Sequence, residues 1–411
     1  MPSLETLLAA AALVAILVWV AMSIHVLRVQ RRRVSTRQLV SGAIALLERE
    51  DVRHLSLADQ IDRLRPLASR ASRELIMRAT ADRETPDNAF ESLFGYMTDR
   101  WGAHSLHRDA AAHRTARDKW RRITALRILF RSKHEVMSLL ARAVNEPDLD
   151  VADVAFSLLG TSTDPRAMDI LFDALRSQRH SASQIAIHIE QSPQPIADRL
   201  KGYLGDPNPV VRLWCATLLA RYPEEQTERD LAVLTDDPDP RVRKAAIQTL
   251  GKIGDIVATD RALHLLHDSF PYVRAHAARA LGELNRTDQA ERVAALLGDT
   301  DWWVRLAAKE SLEMMGSDVW PVLMRSLNHA DRFVQNGAAE VFQNLGVLDS
   351  LIVMEAATDN PAPMKIDMLR RIAAAGGVRF TDSLVERAGP IVGPRIRHLL
   401  ATIGLEHVGA A

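Results

Sequence analysis

The sequence predicts an all-α protein, an α-α superhelical solenoid of about ten helix-turn-helix repeats. Three observations predict it. Asp206, Asp237, Asp268 and Asp299 each stand six residues before an arginine, and those arginines (Arg212, Arg243, Arg274 and Arg305) are 31 residues apart. Apolar residues recur at helical spacing within each unit. Turn formers such as Asp206, Pro207, Asn208 and Pro209 separate the apolar stretches, and no alternating pattern marks a strand.

The first element lies before the repeats. Residues 1–6 form a short lead, and Leu7–Leu27 is apolar throughout with no charged residue. About 20 such residues at about 1.5 Å rise span a bilayer core of about 30 Å. A signal peptide carries its positive charge ahead of the apolar run. Here Glu5 precedes it, while Arg28, Arg31, Arg32, Arg33 and Arg37 follow. The expectation is a transmembrane helix over 7–27 in an inner or plasma membrane, crossed once. The N-terminus then lies outside and the repeat domain in the cytoplasm. Arg28, Arg31, Arg32 and Arg33 are candidate contacts for anionic lipid head groups.

Residues 28–118 are expected to form a basic juxtamembrane helical region. The chain has no formal net charge, yet residues 28–134 carry 23 Arg/Lys against 13 Asp/Glu, and residues 135–411 carry 29 against 38. Leu39, Ala43, Leu46 and Leu47 share one helical face, as do Leu57, Ile61, Leu64, Leu67 and Ala68. Pro66 is expected to kink or split the second pattern. Asp87 or Asn88 is expected to cap a helix bearing Phe90, Leu93, Phe94 and Met97. Residues 100–122 crowd His104, His107 and His113 among arginines and two tryptophans. Spacings of three and six do not bring all three imidazoles to one helical face, which disfavours a metal site. The interleaved basic and aromatic residues are a weak nucleic-acid signal. The segment is read as a solvated connection into the first repeat.

The repeats are expected over 119–405, with a tail at 406–411. With the arginine position numbered zero, successive units start at Arg121, Ala152, Ala182, Arg212, Arg243, Arg274, Arg305, Gln335, Lys365 and Ile396. Position +3 is small or apolar in nearly all (Ala155, Ile185, Cys215, Ala246, Ala277, Ala308, Ala338), with Thr124 departing. Position +7 is apolar throughout, from Ile128 and Leu159 to Phe342 and Ile403. A separation of four is about one helical turn, so +3 and +7 form the buried stripe of one helix. Leu231/Leu234, Ala262/Leu265 and Val293/Leu296 mark a preceding helix at −12 and −9. Pro209, Pro240 and Pro271, at −3, suit the first turn of the second helix, where a missing N–H costs little. Gly160, Gly251, Gly282 and Gly404, at +8, imply close packing or a left-handed cap.

The Asp/Arg pairs are read as structural. Each aspartate is expected to accept from backbone N–H groups and from an arginine of its own or the neighbouring unit. The ladder formed by Asp206, Arg212, Asp237, Arg243, Asp268, Arg274, Asp299 and Arg305 is expected to weaken at both ends. There Glu146 faces Ala152, and Asp359 faces Lys365.

This pattern resembles the HEAT-repeat family in its short form of about thirty residues, the HEAT-like or phycobilisome-lyase-type repeat. The resemblance rests on Asp237, Pro240, Arg241, Val242, Arg243, Ala245, Ala246, Leu250 and Gly251. It rests equally on their equivalents around Arg274 and Arg305. It implies a superhelix whose second helices line a concave face, and a scaffold or adaptor. The positions left over on that helix are roughly +2, +5 and +9. They are Trp214, Thr217, Arg221, Gln248, Lys252, His276, Arg279, Glu283, Glu310, Glu340 and Asn344. Trp214 and Arg279 are the expected hot spots. Trp302 and Trp303 are placed in a turn, one exposed and one covering the core edge.

The expectation is therefore a membrane-tethered cytoplasmic scaffold that binds a protein partner, itself a membrane protein. The acidic array and Glu283, Glu310 and Glu340 disfavour nucleic acid. By resemblance alone, the alternatives are a bilin-lyase-like or other HEAT-like enzyme activity, and an accessory subunit of a membrane glycosyltransferase or signalling system. Catalysis is not expected, and neither is a cofactor or metal. His134-Glu135 is the sole His-Glu pair, where related di-iron enzymes repeat one in register. The single cysteine, Cys215, falls on the buried stripe and fits a reducing compartment. Phosphate-loop, nucleophile-elbow and Cys-x-x-Cys motifs are absent from the sequence.

Overall fold

A computed structural model describes residues 38, 41–68, 73–82, 85–112, 116–254, 256–347, 367–368, 370–372 and 389–402. Among them the regular structure is helical, without a strand. The expected membrane span at 7–27 and the lipid candidates Arg28, Arg31, Arg32 and Arg33 lie outside the described residues. No helix among the described residues is long and apolar enough to cross a membrane. The expectation of a single-pass membrane protein is corrected on that finding.

The chain divides into two compact units, Met1–Pro193 and Gln194–Ala411. The first contains α1 (Leu57–Ala68), α2 (Arg73–Ala81), α3 (Asp87–Trp101), α4 (Ala103–Ala110), α5 (Ala116–Arg131), α6 (Met137–Ala143), α7 (Leu149–Gly160), α8 (Pro165–Ser177) and α9 (Ala182–Glu190). Pro66 sits in the last turn of α1, which runs unbroken from Leu57 to Ala68. Asp87 is the first residue of α3 and not its cap, because Pro86 precedes it without a side-chain bond to the helix. Within the segment expected to be a solvated connection, Ala103–Ala110 folds as α4 instead, while His113 lies outside the described residues. Ser105, Leu106 and Ala110 of α4 are buried, Asp109 pairs with Arg73, and the Arg73 and Arg100 guanidiniums stand over the Trp101 ring. Arg73 thus balances the Asp109 carboxylate, and both Arg73 and Arg100 use the Trp101 face.

The second unit is a regular stack. Its first helices are α10 (Ala197–Gly202), α12 (Glu225–Leu234), α14 (Ile256–Leu265), α16 (Ala290–Ala295) and α18 (Trp320–Ser326). Its second helices are α11 (Pro209–Leu218), α13 (Pro240–Ile253), α15 (Pro271–Glu283), α17 (Trp302–Met314) and α19 (Arg332–Asn344). Residues Gly389–Thr402 form α20. Each second helix packs on the next second helix and on its own first helix, giving two layers.

The expected stripes form the core. Cys215, Ala246, Ala277, Ala308 and Ala338 at +3 are buried completely, as are Leu219, Leu250, Leu281, Leu312 and Phe342 at +7. Each leucine contributes about 1.5–3 kcal/mol by leaving water. A third stripe at −1, Val211, Val242, Val273, Val304 and Val334, is also buried. Ideal Cβ atoms on Gly251 and Gly282 would stand 2.9 Å from the Cα atoms of Ala280 and Ser311. A Cβ on Gly160 would stand 2.8 Å from the His188 carbonyl oxygen. Of the two readings of +8, close helix packing is the one observed: glycine lets each second helix approach position +6 of the next. Buried Thr249, itself at +6, donates to the carbonyl oxygen of Ala216 at 2.9 Å and bridges successive second helices.

Candidate functional site: an ion-pair ladder and an exposed aromatic edge

The turns that lead into the second helices build the site. At −4 the side chains of Asn208, Asp239, Asp301 and Asp331 accept the N–H two residues on and start the second helices. Two residues earlier, at −6, Asp206, Asp237, Asp268 and Asp299 accept N–H groups from Asn208, Asp239, Phe270 and Asp301 at 2.8–2.9 Å.

The arginines reach forward. Nε and Nη2 of Arg212 donate to both oxygens of Asp237 at 2.7 and 2.8 Å. Arg243 clasps Asp268 at 2.8 and 3.0 Å, and Arg274 clasps Asp299 at 2.9 and 2.8 Å. The remaining nitrogen, Nη1, donates to the carbonyl oxygen of the repeat's own aspartate at 2.7, 2.8 and 2.9 Å. Each guanidinium thus links its own turn to the next. Burial, the largest influence on Asp268 and Asp299, raises their carboxyl pKa. The bonds from Arg243 and Arg274 and from backbone N–H groups outweigh it and hold both below the usual value.

The two ends of the ladder, where weakening was expected, differ from each other. Glu146, whose counterpart at position zero is Ala152, accepts instead from Arg122 of α5 at 2.5 Å, with both side chains largely buried. At the other end His329 occupies −6, and its Nδ1 accepts the Asp331 N–H at 3.0 Å in place of a carboxylate. Arg305 keeps its Nη1 bonds to the carbonyl oxygens of Asp299 and Thr300 at 2.7 and 3.2 Å. Its guanidinium carbon lies 4.5 Å from the centre of the Phe333 ring. Asp359 and Lys365 lie outside the described residues.

The residues expected to contact a partner are not equally available. Trp214, Gln248, His276, Arg279 and Glu310 are half-buried, whereas Glu283 and Glu340 are exposed. Arg221 is exposed and closes a short 3-10 turn beyond α11. Arg279 donates to Glu310 at 2.9 and 2.8 Å, and Lys309 pairs with Glu340. Asn344 donates to Glu313 at 2.6 Å. These pairs, each 31 residues apart, make a second ladder between neighbouring second helices. Burial pushes the His276 pKa down to about 4, with Lys244, Arg279 and Lys252 adding to the shift. Glu283 is exposed as a residue, but its carboxyl end lies over Gly251, and the desolvation there raises its pKa against the opposing pull of Lys252 and Arg279.

A row of aromatic side chains escaped the sequence reading. Tyr272, Trp303 and Phe333 occupy −2 in successive repeats, with Phe270 and Trp302 beside them. Trp302 and Trp303 are not in a turn: Asp301 caps α17, and they are its first two residues. Both are exposed, so neither covers the core edge; Trp302 is 62% and Phe333 58% accessible. The two indoles meet edge to face at 5.1 Å. The Arg279 guanidinium stands 5.2 Å from the Trp303 ring centre, joining the second ladder to the aromatic edge. Among the described residues, no group of three His, Cys, Asp or Glu side chains is arranged to hold a metal ion. Cys215 is a buried thiol.

This geometry defines a helical-repeat protein of the solenoid class. The family profile for HEAT repeats matches residues 196–269 and 259–343, so the chain carries HEAT repeats through the regular part of the second unit. Comparison with curated proteins found no match. Among solved structures, a charge-altered triple mutant of Kap121p aligns at 12% identity and TM-score 0.48, covering 85% of this chain and 46% of Kap121p. The chain thus spans about half the length of that protein. Kap121p bound to Ste12p aligns at 13% identity and TM-score 0.42, over 90% of this chain and 49% of the other. The complex of CpcE and CpcF of phycocyanin lyase from Nostoc sp. PCC7120 aligns at 18% identity and TM-score 0.27, over 65% and 94%. None of these likenesses bears on activity.

Proposed function

We propose that the protein is a non-catalytic scaffold that binds a protein partner along the second-helix side of its HEAT repeats. The observation that carries the reading is the aromatic row at −2, exposed at Trp303 and Phe333 and continuous through Arg279 with the charged second-helix face. Large aromatic and arginine side chains are the residues whose burial gives protein interfaces most of their affinity. Single exposed aromatics are ordinary, but a row in register across successive repeats marks an interaction surface. The partner contacts are Trp302, Trp303, Phe333 and Arg279, extended along the helix face by Trp214, Arg221, Gln248, His276, Glu283, Glu310 and Glu340. Because Arg279 already pairs with Glu310, its part is to hold Trp303 and Glu310 in place as much as to reach the partner.

The test is site-specific photocrosslinking of the full chain in its native host. Benzoylphenylalanine replaces Trp302 or Thr217 on the proposed face, or exposed Val233 on a first helix. One protein captured at the first two positions, missed at Val233 and lost with Trp303→Ala supports the reading. Equal capture at all three, or none, removes it. Purified protein that absorbs visible light through a bound tetrapyrrole points instead to the lyase-like alternative.

A further inference from the structure

We propose that Arg305 is a preformed receptor for a carboxylate side chain of the partner, which takes the place that aspartate holds on the preceding rungs. This deepens the scaffold reading and rests on it.

Three consecutive rungs show what this arginine position does. Nη1 is fixed on the carbonyl oxygen of the repeat's own aspartate, and Nε with Nη2 clasps the carboxylate 25 residues on. Arg305 is fixed in the same way, on the Asp299 and Thr300 carbonyl oxygens, and is held from the side by Phe333. The residue 24 positions on is His329, whose Nδ1 repeats the backbone bond of the missing aspartate without supplying a carboxylate. Among the described residues no carboxylate forms an ion pair with Arg305. The edge of the guanidinium formed by Nε and Nη2 therefore points where a carboxylate belongs, and a planar bidentate donor is matched to that group. Gln335, at position zero of the next repeat, donates to the His329 carbonyl oxygen at 2.6 Å, so the turn itself is closed.

The surroundings identify the occupant as a protein segment. Exposed Trp302, Trp303 and Phe333 flank Arg305 along the helix starts and offer apolar faces to the residues beside an acidic side chain. The ligand is thus an Asp or Glu within a chain segment, bordered by apolar residues.

The decisive variant is His329→Asp. An aspartate there accepts the Asp331 N–H as Asp299 accepts that of Asp301, and its carboxylate closes on Arg305. The variant completes the ladder internally, so it gains stability while losing the receptor; a folding defect would lower stability together with binding. A positional-scanning library of N-acetylated, C-amidated peptides, which carry no terminal carboxylate, is bound to the full chain and to the variant. Expected is selection of Asp or Glu at one position beside an apolar residue, weakened about tenfold or more by His329→Asp and by Arg305→Gln. The variant also melts at a higher temperature than the parent. Peptides selected without an acidic position, or bound equally by His329→Asp, overturn the carboxylate receptor and leave the scaffold reading standing. An unchanged or lowered melting temperature for His329→Asp shows that Arg305 is not aimed as its counterparts are, and also overturns it. No peptide selection at all, with no crosslinked partner, removes both readings.

Discussion

Removing one rung of the Asp/Arg ladder gives a sharp measure of what it contributes. Asp268→Ala deletes both oxygens clasped by Arg243 and the acceptor of the Phe270 N–H. The two side chains are 13% and 6% accessible, so the arginine is left largely out of water without its counter-ion. Breaking a buried pair from one side costs about 3–5 kcal/mol. Arg243 keeps its bond to the Asp237 carbonyl oxygen and its place over Phe270, which puts the loss near the lower figure, about 3 kcal/mol. Arg261 and Asp236 provide the control. They too are 25 residues apart and only 2.7 Å from each other, but their side chains are 37% and 53% accessible. Removing that pair costs about 0–1 kcal/mol. A solenoid unfolds unit by unit, so a melting midpoint registers the direction of a change while only a local readout assigns its size to one joint. Amide hydrogen exchange by mass spectrometry resolves the loss locally. Asp268→Ala accelerates opening of α13 and α15 about a hundredfold, and Arg261→Ala changes them little. Asp268→Asn, which keeps an oxygen for the Phe270 N–H, falls between. Equal effects of Asp268→Ala and Arg261→Ala, or protection lost uniformly along the chain, would refute the ladder as the link between repeats.

Other outcomes follow from the same geometry. Asp268 and Asp299 have folded pKa values below the usual 3.8, so their contribution is complete above that value and is lost as pH falls through the lower, folded values. Asp268→Asn with Asp299→Asn therefore flattens the acid limb of a pH-resolved exchange profile; an unchanged limb counts against the pairing. His276 is pushed down from 6.5 to about 4, so the folded state disfavours its protonation. Its contribution is complete above 6.5 and declines towards pH 4, and His276→Gln removes that slope in α15 exchange. Gly251→Ala puts a methyl against the Ala280 backbone and lowers stability by about 1–3 kcal/mol. Gly205→Ala, with open space around it, leaves thermal melting unchanged. Ala277→Arg forces a charge into a completely buried position and locally unravels the stack; a normal melt with unchanged helicity contradicts the register.

The helices and their buried faces were legible because +3 and +7 repeat across units and reinforce one another. The −1 valines carry the same signal, one turn before +3, but they sit among turn residues and were passed over. Asp301 is a capping residue, which makes Trp302 and Trp303 helical; reading them as a turn missed that local cue. The ladder's members were legible, whereas its direction was not. Sequence spacing allows Arg243 to reach its own aspartate or the next, and only stacking brings Asp268 into range. The second ladder had a signal in opposite charges 31 residues apart, Arg279 with Glu310 and Lys309 with Glu340. Residues 100–110 were misread because polar residues outnumber Leu106 and Ala110, whose spacing of four marks the buried side of α4.

The apolar stripes and the polar ladder do separate work, and the last described rung shows it. At His329 the carboxylate is gone, yet Val334, Ala338 and Phe342 remain buried and α19 still packs on α17. The stack therefore continues without an ion pair at that joint. What the missing aspartate changes is the fate of the arginine: Arg305 keeps its backbone anchors and its aromatic support but faces no carboxylate of the described chain. A fold held chiefly by its apolar stripes can tolerate such a replacement, and the same replacement turns a structural guanidinium into one able to take a partner's carboxylate. The aromatic edge reaches its greatest exposure beside this joint, at Trp302 and Phe333. The departure from the repeat and the most accessible apolar surface thus coincide, which is the arrangement expected where a regular scaffold has been adapted to hold one particular segment.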